Sequence, residues 1–289
     1  MKKIKLYITL ISVACVLVPL QATEKEDNNQ LLASETGIDT VSVWSDRPQK
    51  LPYTVKSRVL SVGNIRLKDT YLSNIEYFGW NVGWESSFTG FLGTCIYWRS
   101  INMFTYGNTV NLPATSTMSY IGGEVSLGAG YNYKQNNLDL KIGGLPALAF
   151  GLKNNARNIN NIQSVDASLN LWLDLEASYK IPVNRVKIAF TDHFQTSLLG
   201  GMFVPEFGAL YYEYIFGSLD GSLHFSSFHN KVAFKNRLEF SLALKPLIIK
   251  VQYYINYQSW RANSLYFAHL QHNFGLGIVF LLENKTKLY

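Results

Sequence analysis

The chain has 289 residues, of which 47% are hydrophobic and 16% charged, with a formal net charge of +6. Residues 1–22 hold Lys2, Lys3 and Lys5 and no acid, so removing them takes the charge from +6 to +3, too mild a balance for nucleic-acid binding. Cys15 and Cys95 are the two cysteines; once Cys15 leaves with a leader, no internal disulfide and no cysteine metal site remain.

The chain starts Met-Lys-Lys-Ile-Lys, runs apolar from Leu6 to Leu20, and reaches Gln21-Ala22-Thr23. A basic start, a short apolar core and a small residue read as a secretory signal, residues 1–22, cleaved after Ala22. The run is shorter than the ~20 residues of a spanning helix. Lipidation at Cys15 is the weaker alternative, because Ser12 is a poor residue three before it and apolar residues continue beyond. Residues 23–54 are polar without sustained periodicity, and read as a periplasmic tail or a partial plug. Polar residues interrupt every later apolar run, so a membrane could be crossed only by strands. No cofactor is called for.

From residue 55 onward the pattern is alternation. Strands are predicted over 55–66, 75–88, 92–106, 118–133, 138–150 and 164–180, then 185–199, 206–217, 222–228, 231–244, 247–259 and 264–281. Segment 164–180 is the clearest. Val165, Ala167, Leu169, Leu171, Leu173, Leu175, Ala177 and Tyr179 share one face, and Asp166, Ser168, Asn170, Trp172, Asp174, Glu176, Ser178 and Lys180 the other. Period two signals a strand, and the run far exceeds the usual ~5–6 residues. A long strand with one uncharged face and one charged face fits a transmembrane barrel. Similar stripes are Phe78–Phe88, Ile121–Tyr133, Val232–Leu242 and Ile249–Tyr257. The 18 Tyr, 17 Phe and 6 Trp suit aromatic girdles.

Links then alternate. Short ones are expected at Thr89–Phe91, Lys134–Asn137, Ile181–Asn184, Leu219–Gly221 and Lys245–Pro246, on the periplasmic side. Longer ones are expected at Tyr106–Thr117, Gly151–Gln163 and Gly200–Pro205, with outer turns near His229–Asn230 and Trp260–Arg261. The fold expected is an all-β transmembrane antiparallel up-and-down barrel, residues 55–289, of about twelve strands. Ten is the alternative, with 55–66 inside the barrel or in the periplasm. The last strand, Asn273-Phe274-Gly275-Leu276-Gly277-Ile278-Val279-Phe280, is similar to the assembly signal of outer-membrane barrels. That similarity implies the barrel assembly machinery as a partner during biogenesis, and outer-membrane lipid as the surroundings.

Inward charges are Glu124, Asp139, Lys141, Asp174, Glu176, Lys187, Lys235, Arg237, Glu239 and Lys250. They should pair, since unpaired charge is costly away from water, and Lys187 is the expected partner of Asp174 and Glu176. A wide open channel is not expected. Ser226, Ser227, His229 and Asn230 form the best cluster for an acyl hydrolase, against the simpler reading of a polar hairpin tip. Asp192 falls on an apolar stripe, where a bulge turning it inward, a place near the outer interface, or functional use would resolve the cost. His193 should face a polar interior. His269 and His272, three apart, face opposite sides and make no strand-borne metal pair.

Asp69-Thr70-Tyr71-Leu72-Ser73, Pro205-Glu206-Phe207-Gly208, Tyr211-Tyr212-Glu213 and His229-Asn230 resemble an uncharacterised outer-membrane β-barrel family of Bacteroidota, domain of unknown function 3316, over roughly 55–281. The resemblance implies the barrel and the compartment and transfers no catalytic residue. The function expected is a non-enzymatic narrow pore, transport accessory or structural surface barrel. A lipid-acting acyl hydrolase is the alternative, and a soluble periplasmic β-sandwich the third reading.

Overall fold

The computed structural model describes residues 53–157, 162–181, 183, 187–206, 219, 221–244 and 247–283. The expected signal, nearly all of the tail and most of the strand expected over 206–217 lie outside the described residues. Those described form β1 (Tyr53–Asp69), β2 (Ser73–Leu92), β3 (Ile96–Asn111), β4 (Thr117–Gln135), β5 (Leu138–Asn154), β6 (Gln163–Ile181), β7 (Lys187–Phe203), β8 (Leu223–Ser227), β9 (Lys231–Leu244), β10 (Leu247–Ala262) and β11 (Leu265–Glu283).

Neighbouring strands pair antiparallel, and β1 pairs with β11 along its whole length, from Tyr53↔Glu283 to Asp69↔Phe267. The ring formed by β1 to β7 and β9 to β11 therefore closes on itself, while among the described residues β8 pairs with β7 alone. The ring has ten strands, β1 to β7 and β9 to β11, with β8 as an addition. β7 gives Lys187–Thr196 to β9 and Leu199–Phe203 to β8. β8 and β9 thus lie in line along one side of β7 and make a single, interrupted crossing.

Ten is the alternative count, reached by a different route. The first strand is a full wall strand, not an internal segment, and it is 222–228 that does not cross separately. His229–Asn230 is an excursion in the wall between β8 and β9, where the Asn230 carbonyl accepts from Arg261 N at 2.9 Å. Leu219–Gly221 does not make a turn on the short-turn side, because Asn263 Nδ2 in the β10–β11 turn donates to the Gly221 carbonyl at 2.8 Å. The turn expected at Thr89–Phe91 moves to 93–95, since Gly93, with φ of 73°, takes the positive φ there.

One end of the barrel carries, among the described residues, 70–72, 112–116, 155–157, 162, 204–206, 219, 221–222 and 263–264, the loop end. The other carries 93–95, 136–137 and 183, the end of β9 and start of β10, and the outer ends of β1 and β11, the turn end.

Side-chain alternation inverts the usual arrangement. Leu60, Phe274 and Leu276 are 64–66% exposed, whereas Asp174 and Asn273 are fully buried. Apolar groups face out in a continuous belt, and polar groups face a lumen only ten strands wide. β7 breaks the alternation once. Trp172 pairs with Ser197 and Leu171 with Leu199, so Leu198 is a bulge. Before it Thr191, His193, Gln195 and Ser197 are buried; after it the buried residue is Met202.

Two apolar clusters occupy the lumen. Ile65, Leu67, Tyr71, Leu72, Tyr77, Met118, Tyr120, Met202, Val204 and Leu265 cap the loop end. Ile101, Leu145, Ala147, Trp172 and Ala233 fill the middle. The segment Asp69–Ser73 builds the cap. Asp69 Oδ1 accepts from Tyr71 N at 3.0 Å, while its Oδ2 takes Lys153 Nζ at 2.5 Å and Ser164 Oγ at 2.8 Å. That grip tucks Tyr71 and Leu72 inward.

Asn263 holds φ of 50° and donates to Val204 and Gly221 carbonyls at 3.0 and 2.8 Å. Asn263→Ala should cost about 1–2 kcal/mol for the left-handed backbone and about 1 kcal/mol for each lost bond. Asn263→Gly should recover the first part alone, read by urea unfolding in detergent micelles; equal losses for both variants would contradict this.

Candidate functional site

The polar interior is the place to look for chemistry, and its charges span the lumen. Asp174 on β6 is the centre. It accepts from Tyr97 Oη at 2.9 Å, Arg99 Nη1 at 2.8 Å, His193 Nε2 at 2.6 Å and Gln195 Nε2 at 2.7 Å. Arg99 also bridges to Glu176, whose other oxygen takes Lys141 Nζ at 2.6 Å. Two β6 carboxylates thus meet cations from β3 and β5. Lys187, the partner expected from sequence, stands opposite Ala243 at the turn end of β7, while His193 is the residue opposite Glu176.

A second group reaches from β9. Arg237 Nε donates to Glu85 Oε2 at 2.8 Å and Nη1 to Gln195 Oε1 at 3.0 Å. Lys235 pairs with Glu124 at 2.5 Å and Lys250 with Glu239 at 2.7 Å. Rings complete the filling: Lys235 Nζ lies 4.1 Å from the Trp172 ring centroid, and Arg237 lies 5.0 Å from that of Tyr254. In this low-dielectric layer ion pairs are strong, and so is the penalty for leaving a charge alone.

The filled layer separates two small spaces. Toward the turn end lies a cavity of about 190 Å³ edged by Arg99, Lys141, Glu176, His193, Glu239 and Lys250. Toward the loop end, beneath the cap, lies one of about 60 Å³ edged by Tyr120, Glu124, Asp166, Lys235 and His269, room for about two waters.

The structure separates the sequence candidates. His193 faces inward and is buried. Asp192 faces outward. Its register with β9 is regular from Lys187 to Thr196, so no bulge turns it in, and it stands nearer the turn end than the loop end. Asn236 Nδ2 donates to it at 2.6 Å, which satisfies one oxygen without moving the group inward. Ser226 is buried, its Oγ without a partner among the described residues. It is Ser227, not Ser226, that meets His229, with Oγ to Nδ1 2.6 Å. Asn230 spends its side chain on Ser227 N and the Phe225 carbonyl, at 3.0 and 2.8 Å, so it does not orient the imidazole. The arrangement is a serine–histidine pair within a wall excursion, and among the described residues no third group bonds to the imidazole as a nucleophile's base needs. His269 faces inward, against Tyr120, and His272 outward, bonded to Tyr253 at 2.9 Å.

Arg99 is one of the buried charges the sequence list left out, with Asp69, Glu85, Lys153 and Lys231. The inner face of β3 reads Tyr97, Arg99, Ile101, Met103 and Thr105, too apolar to stand out. The outward parity of Trp98, Phe104, Tyr106 and Val110 would have placed it.

Residues 8–286 match the family described as "Protein of unknown function (DUF3316)". No curated protein matches the chain. Among solved structures it is similar to the transport unit of the autotransporter AIDA-I from Escherichia coli, with 7% identity, 84% of this chain and 94% of that one covered, and a TM-score of 0.40. It is also similar to the translocator domain of the autotransporter NalP from Neisseria meningitidis, with 9% identity, 83% and 92% covered, and a TM-score of 0.36. The β domain of the Bordetella autotransporter BrkA gives 12% identity, 79% and 98% covered, and a TM-score of 0.39. At these values the likenesses carry no functional inference.

Asp174→Ala should cost about 3–5 kcal/mol, the loss on breaking a buried ion pair. Adding Arg99→Met should cost less than the sum of the two single losses, because the partners share one network. Chemical unfolding of the three variants measures this; strict additivity would contradict the coupling.

Proposed function

The chain belongs to the DUF3316 family of proteins of unknown function, and we propose that its barrel spans the outer membrane of a Gram-negative cell as a closed, non-conducting surface barrel. The observation that carries this reading is the inverted alternation: an apolar belt outside, and inside a lumen filled by paired charges and capped by an apolar cluster. Strands of 14 to 20 residues in the ring exceed the about 9–11 that cross the hydrocarbon. The excess carries the walls past both interfaces. Short turns belong on the periplasmic side and long loops outside. The signal expected over 1–22 supplies export, and the similarity of Asn273–Phe280 to an assembly signal, on a strand that closes the ring, supports folding by the barrel machinery.

The packing favours a structural or surface role over a pore. Trp172 and Arg237 fill the middle, and Tyr71 and Leu72 cover the loop end. The hydrolase reading gains little, since His229 has no orienting partner from Asn230.

Reconstituted in planar bilayers, the wild-type protein should show no conductance steps, and it should fractionate with membranes and migrate heat-modifiably. Regular steps would overturn the closed lumen, and a freely soluble monomer the membrane reading.

Orientation has its own test. Cys95 sits in the β2–β3 turn at the turn end, with Thr94 Oγ1 3.4 Å from its sulfur. An impermeant thiol reagent should label it only after the outer membrane is permeabilised; labelling on intact cells would invert the barrel.

A further inference from the structure

β7 carries Gly200 and Gly201 side by side near its loop end, and they differ. A Cβ on Gly200 would lie 2.1 Å from the Leu169 carbonyl oxygen, so packing demands glycine there. A Cβ on Gly201 would meet nothing within 4 Å. Glycine inside a strand costs about 0.5–1 kcal/mol relative to alanine, and in strands it often marks close approach by something else.

Gly201 pairs with Leu169 on β6 and Phe225 on β8. Its missing side chain opens onto an apolar surface hollow walled by Leu148, Leu169, Phe203, Leu223 and Phe225. The bulge at Leu198 aims this gap. By shifting the alternation one residue it turns Leu199, Gly201 and Phe203 outward; without it Gly201 would face the lumen.

On its turn-end side the hollow is followed by a polar pair. Ser227 stands opposite Leu199, and the His229 ring stacks on Phe225 with centroids 6.5 Å apart.

We propose that the hollow over Gly201 seats one acyl chain of a membrane lipid from the leaflet at the loop end. The occupant follows from continuity: Leu148, Leu169, Leu223 and Phe225 are all exposed members of the apolar belt, so the hollow opens sideways into whatever covers that belt. The inference rests on the membrane-spanning reading above. It assigns lipid binding and no bond-breaking step.

The test is native mass spectrometry of the full chain, released from detergent micelles and titrated with palmitoyl-oleoyl phosphatidylglycerol. Wild type should hold one lipid more tightly than the rest. Gly201→Phe, which projects a ring into the hollow, should weaken that site about tenfold, equivalent to about 1.4 kcal/mol. Val125→Phe, an outward position on β4, should leave it unchanged. Heat-modifiable migration checks each fold, and Gly201→Leu serves where the phenylalanine does not fold. Equal lipid binding by wild type and a folded Gly201 variant overturns the proposal. So does a change in dimer content alone, which would make a second copy the occupant. Failure to enter membranes at all would instead overturn the barrel's proposed location.

Discussion

The rest of the structure depends on neutralising charge across a narrow lumen. Closing ten strands into a ring sends every other side chain inward, and most ionised groups of the wall's middle fall on that inner face. The space is too small for bulk water to screen them. Each carboxylate near the middle therefore finds a cation on a distant strand: Glu85 with Arg237, Glu124 with Lys235, Asp174 with Arg99. These contacts tie walls that share no backbone hydrogen bonds.

That constraint explains the mixed character of the filling. A barrel with inward aliphatic groups alone would pack its lumen but strand its charges. One with charges alone would need water to solvate them. Here Trp172, Tyr97 and Tyr254 supply volume and π-faces, and Arg and Lys lie against those faces while bonding to carboxylates. The Asp69–Ser73 turn applies the same solution at the loop end, where a buried aspartate anchors an apolar cap. The outward Asp192–Asn236 pair shows the complementary case, in which a carboxylate left outside takes a neighbouring amide as partner.

Much of this was legible in the sequence, because period two records both faces of a strand. Segment 164–180 reveals Trp172 as inward and Leu169 as outward, but the list of inward charges read from parity omits the buried Asp69, Glu85, Arg99, Lys153 and Lys231. Strand count is less legible. β8 has perfect alternation yet adds no crossing, because its partner is the end of β7, a tertiary fact. Charge partners are less legible still. Asp174 and Glu176 announce a need for cations, but adjacency in sequence points to Lys187, whereas the lumen brings Arg99 from across the barrel. The bulge at Leu198 and the open space at Gly201 leave no periodic signal, since one inserted residue looks like an interruption.

The measurement closest to the central claim is a solid-state NMR nitrogen–carbon distance between the Arg237 guanidinium and the Glu85 carboxylate, in protein reconstituted in lipid bilayers. Cross-lumen neutralisation predicts direct contact, at the separation of a charge-assisted hydrogen bond. Guanidinium and carboxylate groups held apart by a continuous water column would contradict it.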